Sequence, residues 1–152
     1  MSRFCWPTRV YWEDTDGGGV VYYANYLKFL ERARSEWLRD RGFSQQLLAR
    51  DPGIIFTVMS VRIDYRRPAR LDDQLLVTCQ PRREGAASLS FMQGVYRQGA
   101  SAVASASLDP STLPGEDLIA AADVRIACVN ARTFRPQRMP ESLIGVLAQE
   151  SA

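Results

Sequence analysis

The stretch that decides the fold runs from Arg9 to Gly42 and reads RVYWEDTDGGGVVYYANYLKFLERARSEWLRDRG. Its first residues, 9–13, are rich in β-branched and aromatic side chains and predict a strand. Residues 14–20 combine acidic side chains with three consecutive glycines, a composition typical of a turn. From about residue 23 to residue 40 apolar side chains recur every three to four positions, which predicts a long amphipathic helix. The helix therefore begins just after an acidic, glycine-rich loop.

This loop carries three carboxylates, those of Glu13, Asp14 and Asp16. Glycines let backbone amides approach a ligand closely, and a helix N-terminus presents unpaired N–H groups with a partial positive charge. Such donors can polarise a carbonyl group, while a nearby carboxylate attacks it or activates water. Acidic residues before a helix are also common caps, so the pattern alone fits a purely structural turn as well.

The composition indicates one ordinary globular domain, residues 1–152. The chain is long enough for a single core, with 46% hydrophobic residues and 24% charged residues. A formal net charge of +2 gives no reason to expect nucleic acid as a partner. No apolar run approaches the ~20 residues of a transmembrane segment. The N-terminus lacks the apolar stretch of a signal peptide, so we expect a cytoplasmic protein.

The chain contains no histidine, which narrows the possible chemistry. Its absence excludes Ser-His-Asp and Cys-His catalysis and any zinc site that needs histidine. It also removes the usual general base near neutral pH. If the chain is an enzyme, a carboxylate is therefore the expected base or nucleophile. The three cysteines are far apart, and the two in apolar runs, Cys79 and Cys128, are expected to be buried thiols.

Beyond the long helix the sequence predicts a short helix and then an antiparallel sheet. Residues 43–51 favour a helix capped by Ser44. Alternating apolar and polar residues predict strands over 54–65, 71–82, 89–96 and 124–129.

Two further elements are expected near the C-terminus. The Gln98-Gly99 turn predicts a hairpin between residues 95–97 and an alanine-rich run at 102–108, and residues 139–149 favour a terminal helix. This order predicts an α+β domain in which a curved antiparallel sheet wraps around one long helix. One helix covers only part of such a sheet, and the exposed edge favours pairing with a second copy.

Residues 13–39, EDTDGGGVVYYANYLKFLERARSEWLR, also resemble a family signature. They are similar to hotdog-fold acyl-CoA thioesterases of the 4-hydroxybenzoyl-CoA type, most closely to the Tol–Pal-associated YbgC-type branch. The resemblance continues through PARLDD at 68–73, Ser88-Leu89 and residues 128–136, and so covers nearly the whole chain. It implies the hotdog fold and a homodimer with sites at the subunit interface, often assembled as a dimer of dimers (a homotetramer). It also implies hydrolysis of acyl-CoA thioesters without a metal or prosthetic group.

The resemblance implies roles for individual residues. Asp16, the second aspartate of the D-T-D motif, corresponds to the catalytic carboxylate, and the backbone N–H of Tyr23 to the donor that polarises the thioester carbonyl. Whether Asp16 forms a mixed anhydride or activates water stays open. The YbgC-type branch usually has histidine where this chain has Tyr23 and tyrosine where it has Trp12. The backbone donor needs only an amide, so we expect activity to survive, with a changed acyl preference.

Other residues are candidates for substrate binding. Trp12 is a candidate wall of the acyl pocket, with plain core as the alternative. Gly19 belongs to the loop whose amides can approach a ligand, and Asn25 is a candidate for orienting or capping that loop. The Arg82-Arg83 pair fits the basic segment that binds nucleotide in the hydroxybenzoyl branch, with Arg66-Arg67 as a competitor for the phosphates.

Two other functions of the same fold are alternatives to thioester hydrolysis. A non-catalytic module of the same fold would bind acyl-CoA or an acyl-carrier protein without releasing thiol, and it stays the alternative. A hotdog hydratase uses an Asp–His pair, which a chain without histidine cannot supply. A link to the Tol–Pal envelope system is implied by the resemblance alone.

Overall fold

The structure is a computed structural model, and it describes residues 4–98 and 117–150. Within these residues the strands are β1 Phe4–Arg9, β2 Ile54–Tyr65, β3 Gln74–Arg83, β4 Ser88–Arg97 and β5 Leu118–Asn130. The α-helices are α1 Tyr26–Asp40, α2 Gln45–Arg50 and α3 Glu141–Glu150. Two single-turn 3₁₀ helices, Trp12–Asp14 and Tyr23–Asn25, flank the glycine-rich loop. None of the described helices is both long and apolar enough to span a bilayer.

The five strands form one antiparallel sheet in the order β1-β3-β4-β5-β2. Helix α1 packs its apolar stripe against one face of this sheet and buries Phe29, Leu30, Ala33 and Trp37. The Trp37 ring meets the edge of Phe91 of β4, with ring centroids 5.4 Å apart. This is the predicted two-layer α+β arrangement of one long helix on an antiparallel sheet.

Antiparallel pairing brings the ends of β1, β2 and β4 together with the starts of β3 and β5. The loop before α1 lies at this end, because Val10 N–H donates to the Asp73 carbonyl (2.9 Å) and Val21 N–H to the Ala69 carbonyl (2.8 Å). We call it the loop end of the sheet. The opposite end, which holds Arg83 and the turn between β3 and β4, is called the hairpin end.

Several boundaries differ from the prediction for local reasons. The strand predicted over 9–13 is wrong, because β1 ends at Arg9 and the chain then turns. That turn closes where the Asp14 carboxylate accepts the N–H of Tyr11 at 2.8 Å. The strand predicted from residue 71 begins only at Gln74, because Asp72 has a positive φ of 72°.

Elements after the first loop largely match the sequence prediction. Helix α2 is capped by Ser44, whose hydroxyl accepts the N–H of Leu47, and the terminal helix α3 is present. The last strand begins at Leu118 rather than Val124. The run 102–108 lies outside the described residues, and Val95 and Tyr96 pair with β3 on one side and β5 on the other. Both sides of β4 are therefore occupied where the hairpin partner was expected.

Candidate active site

The loop before α1 folds back on itself as a small antiparallel hairpin. Thr15 and Val21 form a β-bridge, and Asp16 N–H donates to the Val20 carbonyl at 2.8 Å. The turn is closed by Gly19, whose φ of +79° favours glycine and whose N–H donates to the Asp16 carbonyl at 3.2 Å. Within this chain, Gly19 therefore shapes the hairpin and holds Asp16 at one side of its turn.

Asp14 anchors the hairpin to the start of the helix. Its side chain is buried, at 6% relative exposure, and its carboxylate accepts the Tyr11 N–H. Its carbonyl accepts two donors, the N–H of Tyr22 and the side-chain amide of Asn25, each at 2.9 Å. Asn25 occupies the N-cap position of α1 but makes no side-chain cap there, so its side chain orients the loop instead of capping the helix.

Asp16 presents an exposed carboxylate beside the turn. Its Oδ1 accepts the Gly18 N–H at 2.7 Å, while no described residue hydrogen-bonds to Oδ2. A Cβ at position 18 would lie 3.2 Å from Oδ1, so the close approach favours glycine there. One oxygen of the carboxylate is thus fixed and the other is open, as a nucleophile or general base requires.

Tyr23 begins the 3₁₀ turn that leads into α1. The N–H of Tyr23 donates to no acceptor within the described residues, as expected for the first N–H of a helical turn. Its ring is 62% exposed and tilts against Tyr22, with centroids 5.0 Å apart. The backbone therefore offers an open donor where a helix presents partial positive charge.

Two tyrosines that the sequence did not indicate hold this segment, one from strand β2 and one from helix α1. The Tyr65 hydroxyl donates to the Tyr23 carbonyl at 3.0 Å, and the Tyr26 hydroxyl accepts the Ala69 N–H at 3.0 Å. Burial raises the pKa of both phenols, so both are protonated at neutral pH. The apolar periodicity that predicts the strand and the helix does not indicate these hydrogen bonds, because each joins residues about 40 positions apart in the sequence.

The structure places the other candidates unequally. Trp12 lies in the first 3₁₀ turn beside the hairpin, and its side chain is 79% exposed, so it is not part of this chain's core. Arg82 and Arg83 lie at the hairpin end, nine residue steps or roughly 30 Å along β3 from Gln74 at the loop end. Within one chain they are therefore remote from Asp16.

Arg66 and Arg67, in contrast, lie at the loop end directly after β2. Together with Tyr23, Tyr26 and Tyr65 they border a shallow open pocket of about 290 Å³. Of the two arginine pairs, this is the one beside the candidate donor.

A second pocket, of about 100 Å³, lies farther along α1 between the helix and the sheet. Its walls are mainly apolar, with charged or polar side chains at the helix, and include Glu31, Arg34, Phe56, Val58, Phe91 and Ile126. Arg34 donates from Nη1 to Gln93 Oε1 at 3.0 Å, and burial lowers the pKa of its guanidinium. The Arg34 guanidinium is therefore partly withdrawn from solvent beside this pocket. Within residues 4–98 and 117–150, no three or more His, Cys, Asp or Glu side chains cluster as metal ligands would.

Residues 18–104, more than half of the chain, match the family model of the Thioesterase superfamily. The chain belongs to that family.

Relatives of known sequence and structure agree with this assignment. The chain is 38% identical over 148 residues to the acyl-CoA thioester hydrolase YbgC of Escherichia coli O157:H7, covering 97% of this chain and 98% of that one. A probable thioesterase from Bartonella henselae superposes with a TM-score of 0.75 at 35% identity, covering 91% of this chain and all of that one. A 1,4-dihydroxy-2-naphthoyl-CoA thioesterase from Synechocystis shares the fold, with a TM-score of 0.80 at 21% identity and 98% of both chains covered. The predicted hotdog fold and thioesterase family are thereby confirmed.

Proposed function

We propose that this protein hydrolyses acyl-CoA thioesters to the free acid and CoA, with Asp16 as the catalytic carboxylate. One observation carries the assignment of roles. An exposed carboxylate with one free oxygen and an N–H without an acceptor, each judged among the described residues, flank the same small hairpin. The family and the 38% identity to an acyl-CoA thioester hydrolase support the reaction class.

In the proposed mechanism the thioester carbonyl accepts the N–H of Tyr23 at the start of the helix. In one route Asp16 attacks the carbonyl carbon, the C–S bond breaks, CoA leaves as thiolate and takes up a proton, and water cleaves the resulting mixed anhydride. In the other route Asp16 removes a proton from water as the water attacks the carbonyl carbon. The C–S bond then breaks, and CoA leaves as thiolate and takes up the proton from Asp16. Both routes place negative charge on the carbonyl oxygen, where one such donor is worth roughly 10²–10³-fold in rate.

The open edge of the sheet is where we place the dimer contact. Strand β2 has no neighbour on its outer side among the described strands, and Val58, Met59 and Val61 on it are exposed. Two copies related by a twofold axis can pair these edges antiparallel. The hairpin end of one sheet then lies beside the loop end of the other. We therefore propose a homodimer, further assembled as a dimer of dimers.

We propose that Arg66 and Arg67 bind the CoA phosphates. Arg66 and Arg67 flank the pocket beside Tyr23 in the same chain, so we place the phosphates there first. The predicted Arg82-Arg83 pair can contribute only from a second copy, whose hairpin end would lie at this loop end. We propose that Trp12 and the residues that line the pocket beside Phe56 form the walls of the acyl site. An acyl-carrier protein as partner, a cytoplasmic location and a Tol–Pal link stay predictions.

The decisive experiment measures thiol release from short, long and aromatic acyl-CoAs by the native protein and by Asp16→Asn. Glu13→Gln is the matched control, because Glu13 is an exposed carboxylate of the same loop. We expect hydrolysis that Asp16→Asn abolishes and Glu13→Gln retains. Tight acyl-CoA binding without thiol release by the native protein would instead favour the non-catalytic binding module.

A further inference from the structure

The turn that carries the proposed donor is held on several sides, but Tyr23 itself has few restraints. Hydrogen bonds fix Tyr22 and Asn25 to the Asp14 carbonyl, and Val21 to Ala69. The backbone of Tyr23 is held by one side chain of the sheet, Tyr65, whose hydroxyl donates to its carbonyl at 3.0 Å. Among the described residues, this is the sole side-chain hydrogen bond from a strand to residues 22–25.

The Tyr65 side chain is itself well placed to act as a rigid support. It ends β2, where its backbone pairs with Ala120 of β5. Its ring meets the Tyr23 ring edge-on, with centroids 6.2 Å apart, and lies 5.5 Å from the Tyr26 ring. The ring contacts are independent of the hydroxyl, so phenylalanine at this position would keep the packing and remove only the hydrogen bond.

The Tyr23 N–H belongs to the peptide group whose carbonyl, that of Tyr22, accepts the Asn25 N–H at 2.8 Å, while Tyr65 holds the next peptide group through the Tyr23 carbonyl. The two groups meet at the Tyr23 Cα, so a shift of the Tyr23 carbonyl would also turn the N–H. The turn is a single 3₁₀ turn and makes poorer hydrogen bonds than α-helix, so its own geometry fixes it weakly. Oxyanion donors act only when preorganised at the position where the charge develops. A hydroxyl that fixes the residue bearing the donor therefore acts on the rate of the chemical step rather than on substrate binding.

We propose that Tyr65 is a positioning residue for thioester hydrolysis: its hydroxyl holds the Tyr23 backbone so that the N–H of Tyr23 meets the developing oxyanion. The inference rests on the proposed function, in which that N–H polarises the carbonyl. Sequence alone did not single out Tyr65 for any role in catalysis.

The test compares Tyr65→Phe with the native protein in steady-state thiol release. We expect kcat to fall about tenfold, a part of the 10²–10³-fold attributed to one donor, while KM changes less than twofold. Tyr22→Phe is the matched control, because Tyr22 also stacks on Tyr23 but its hydroxyl hydrogen-bonds to no described residue. That variant should keep the native kcat.

A spectroscopic measurement separates positioning from a merely structural effect. The probe is a non-hydrolysable ketone analogue of acyl-CoA, with CH₂ in place of sulfur and ¹³C at the carbonyl. In the native protein the bound carbonyl should resonate downfield of the free analogue, and Tyr65→Phe should lose part of that shift with an unchanged melting temperature. The proposal would be overturned if Tyr65→Phe left both kcat and the carbonyl shift unchanged. It would also be overturned if the variant lost kcat because it unfolds, which a lower melting temperature would show. Failure of the native protein to release thiol would instead refute the proposed function.

Discussion

The buried carboxylate of Asp14 offers the sharpest test of how the loop is built. Substitution by alanine removes the acceptor of the Tyr11 N–H, a hydrogen bond of 2.8 Å to a side chain that is 6% exposed. A hydrogen bond to a charged group contributes about 1.5–3 kcal/mol. The free energy of unfolding of Asp14→Ala should therefore fall by about 2 kcal/mol. For a chain of 152 residues this lowers the melting temperature by roughly 4–8 °C.

Activity should fall in the same variant for a separate reason. The Asp14 backbone carbonyl also binds Tyr22 and Asn25, so a loosened Asp14 frees the hairpin that presents Asp16. Asp14→Asn keeps an acceptor oxygen of the same shape and should lose about half as much stability, because hydrogen bonds to charged groups are roughly twice as strong as neutral ones.

Urea unfolding followed by tryptophan fluorescence, together with thiol release, measures both effects. Glu13→Ala is the matched control, since this neighbouring carboxylate is exposed and should change stability by no more than about 0.5 kcal/mol. If Asp14→Ala were as stable as Glu13→Ala, the anchoring role assigned to the buried carboxylate would be wrong.

Three further outcomes are expected. Replacing both Arg66 and Arg67 by alanine should raise KM for acyl-CoA about tenfold and leave KM for acyl-pantetheine, which lacks the phosphates, unchanged. Equal losses on both substrates would contradict phosphate binding. The same double replacement at Arg82 and Arg83 tests the contribution proposed for the second copy. Arg41 contacts the rings of Phe4 and Trp37 and pairs with Glu150. Thermal unfolding of Arg41→Ala should therefore show a free energy of unfolding lower by about 2 kcal/mol. Arg39→Ala, on the exposed face of the same helix, is the control and should lower it by at most ~0.5 kcal/mol. Burial raises the pKa of Cys79 to about 12, so its thiol should resist disulfide reagents at pH 8 in the folded protein. The unfolded thiol loses its proton first, so this group should lower the free energy of unfolding by at most ~1.4 kcal/mol per pH unit between pH 9 and 12. Cys79→Ala should remove that part of the slope and leave the part that comes from Cys128, whose pKa burial raises to about 11.

The sequence predicted the long helix, the short capped helix and most strands because their signals are local. Apolar spacing along α1 and alternation along β5 are set by which face each residue buries, and that pattern is readable without a structure. Along β2 the alternating apolar residues Met59 and Val61 are exposed in the single chain. The loop motif likewise pointed to Asp16 and Tyr23 as candidates, by resemblance to a family. Their roles in catalysis stay predictions.

What the sequence missed depends on contacts between distant parts of the chain. Trp12 lies in a stretch whose composition is typical of a strand. The chain turns there instead, because the Asp14 carboxylate accepts the Tyr11 N–H, and the Trp12 ring is left exposed. Strand direction places Arg82 and Arg83 at the hairpin end, a position that their local sequence does not reveal, and their role in binding stays a prediction. No local pattern reveals that Tyr65 reaches Tyr23 across 42 positions.

The donor proposed for polarising the carbonyl lies in the 3₁₀ turn before α1 and is a main-chain group. In that proposed mechanism the chemistry at position 23 is separate from the identity of its side chain. The Tyr23 ring is 62% exposed, and within the described residues its hydroxyl makes no hydrogen bond. Evolution can therefore exchange histidine, tyrosine or other side chains there while the amide donor stays in place. Position 23 is accordingly a natural place to diversify acyl preference, and a saturation library at this codon should yield variants that differ in substrate choice more than in the turnover of a shared substrate.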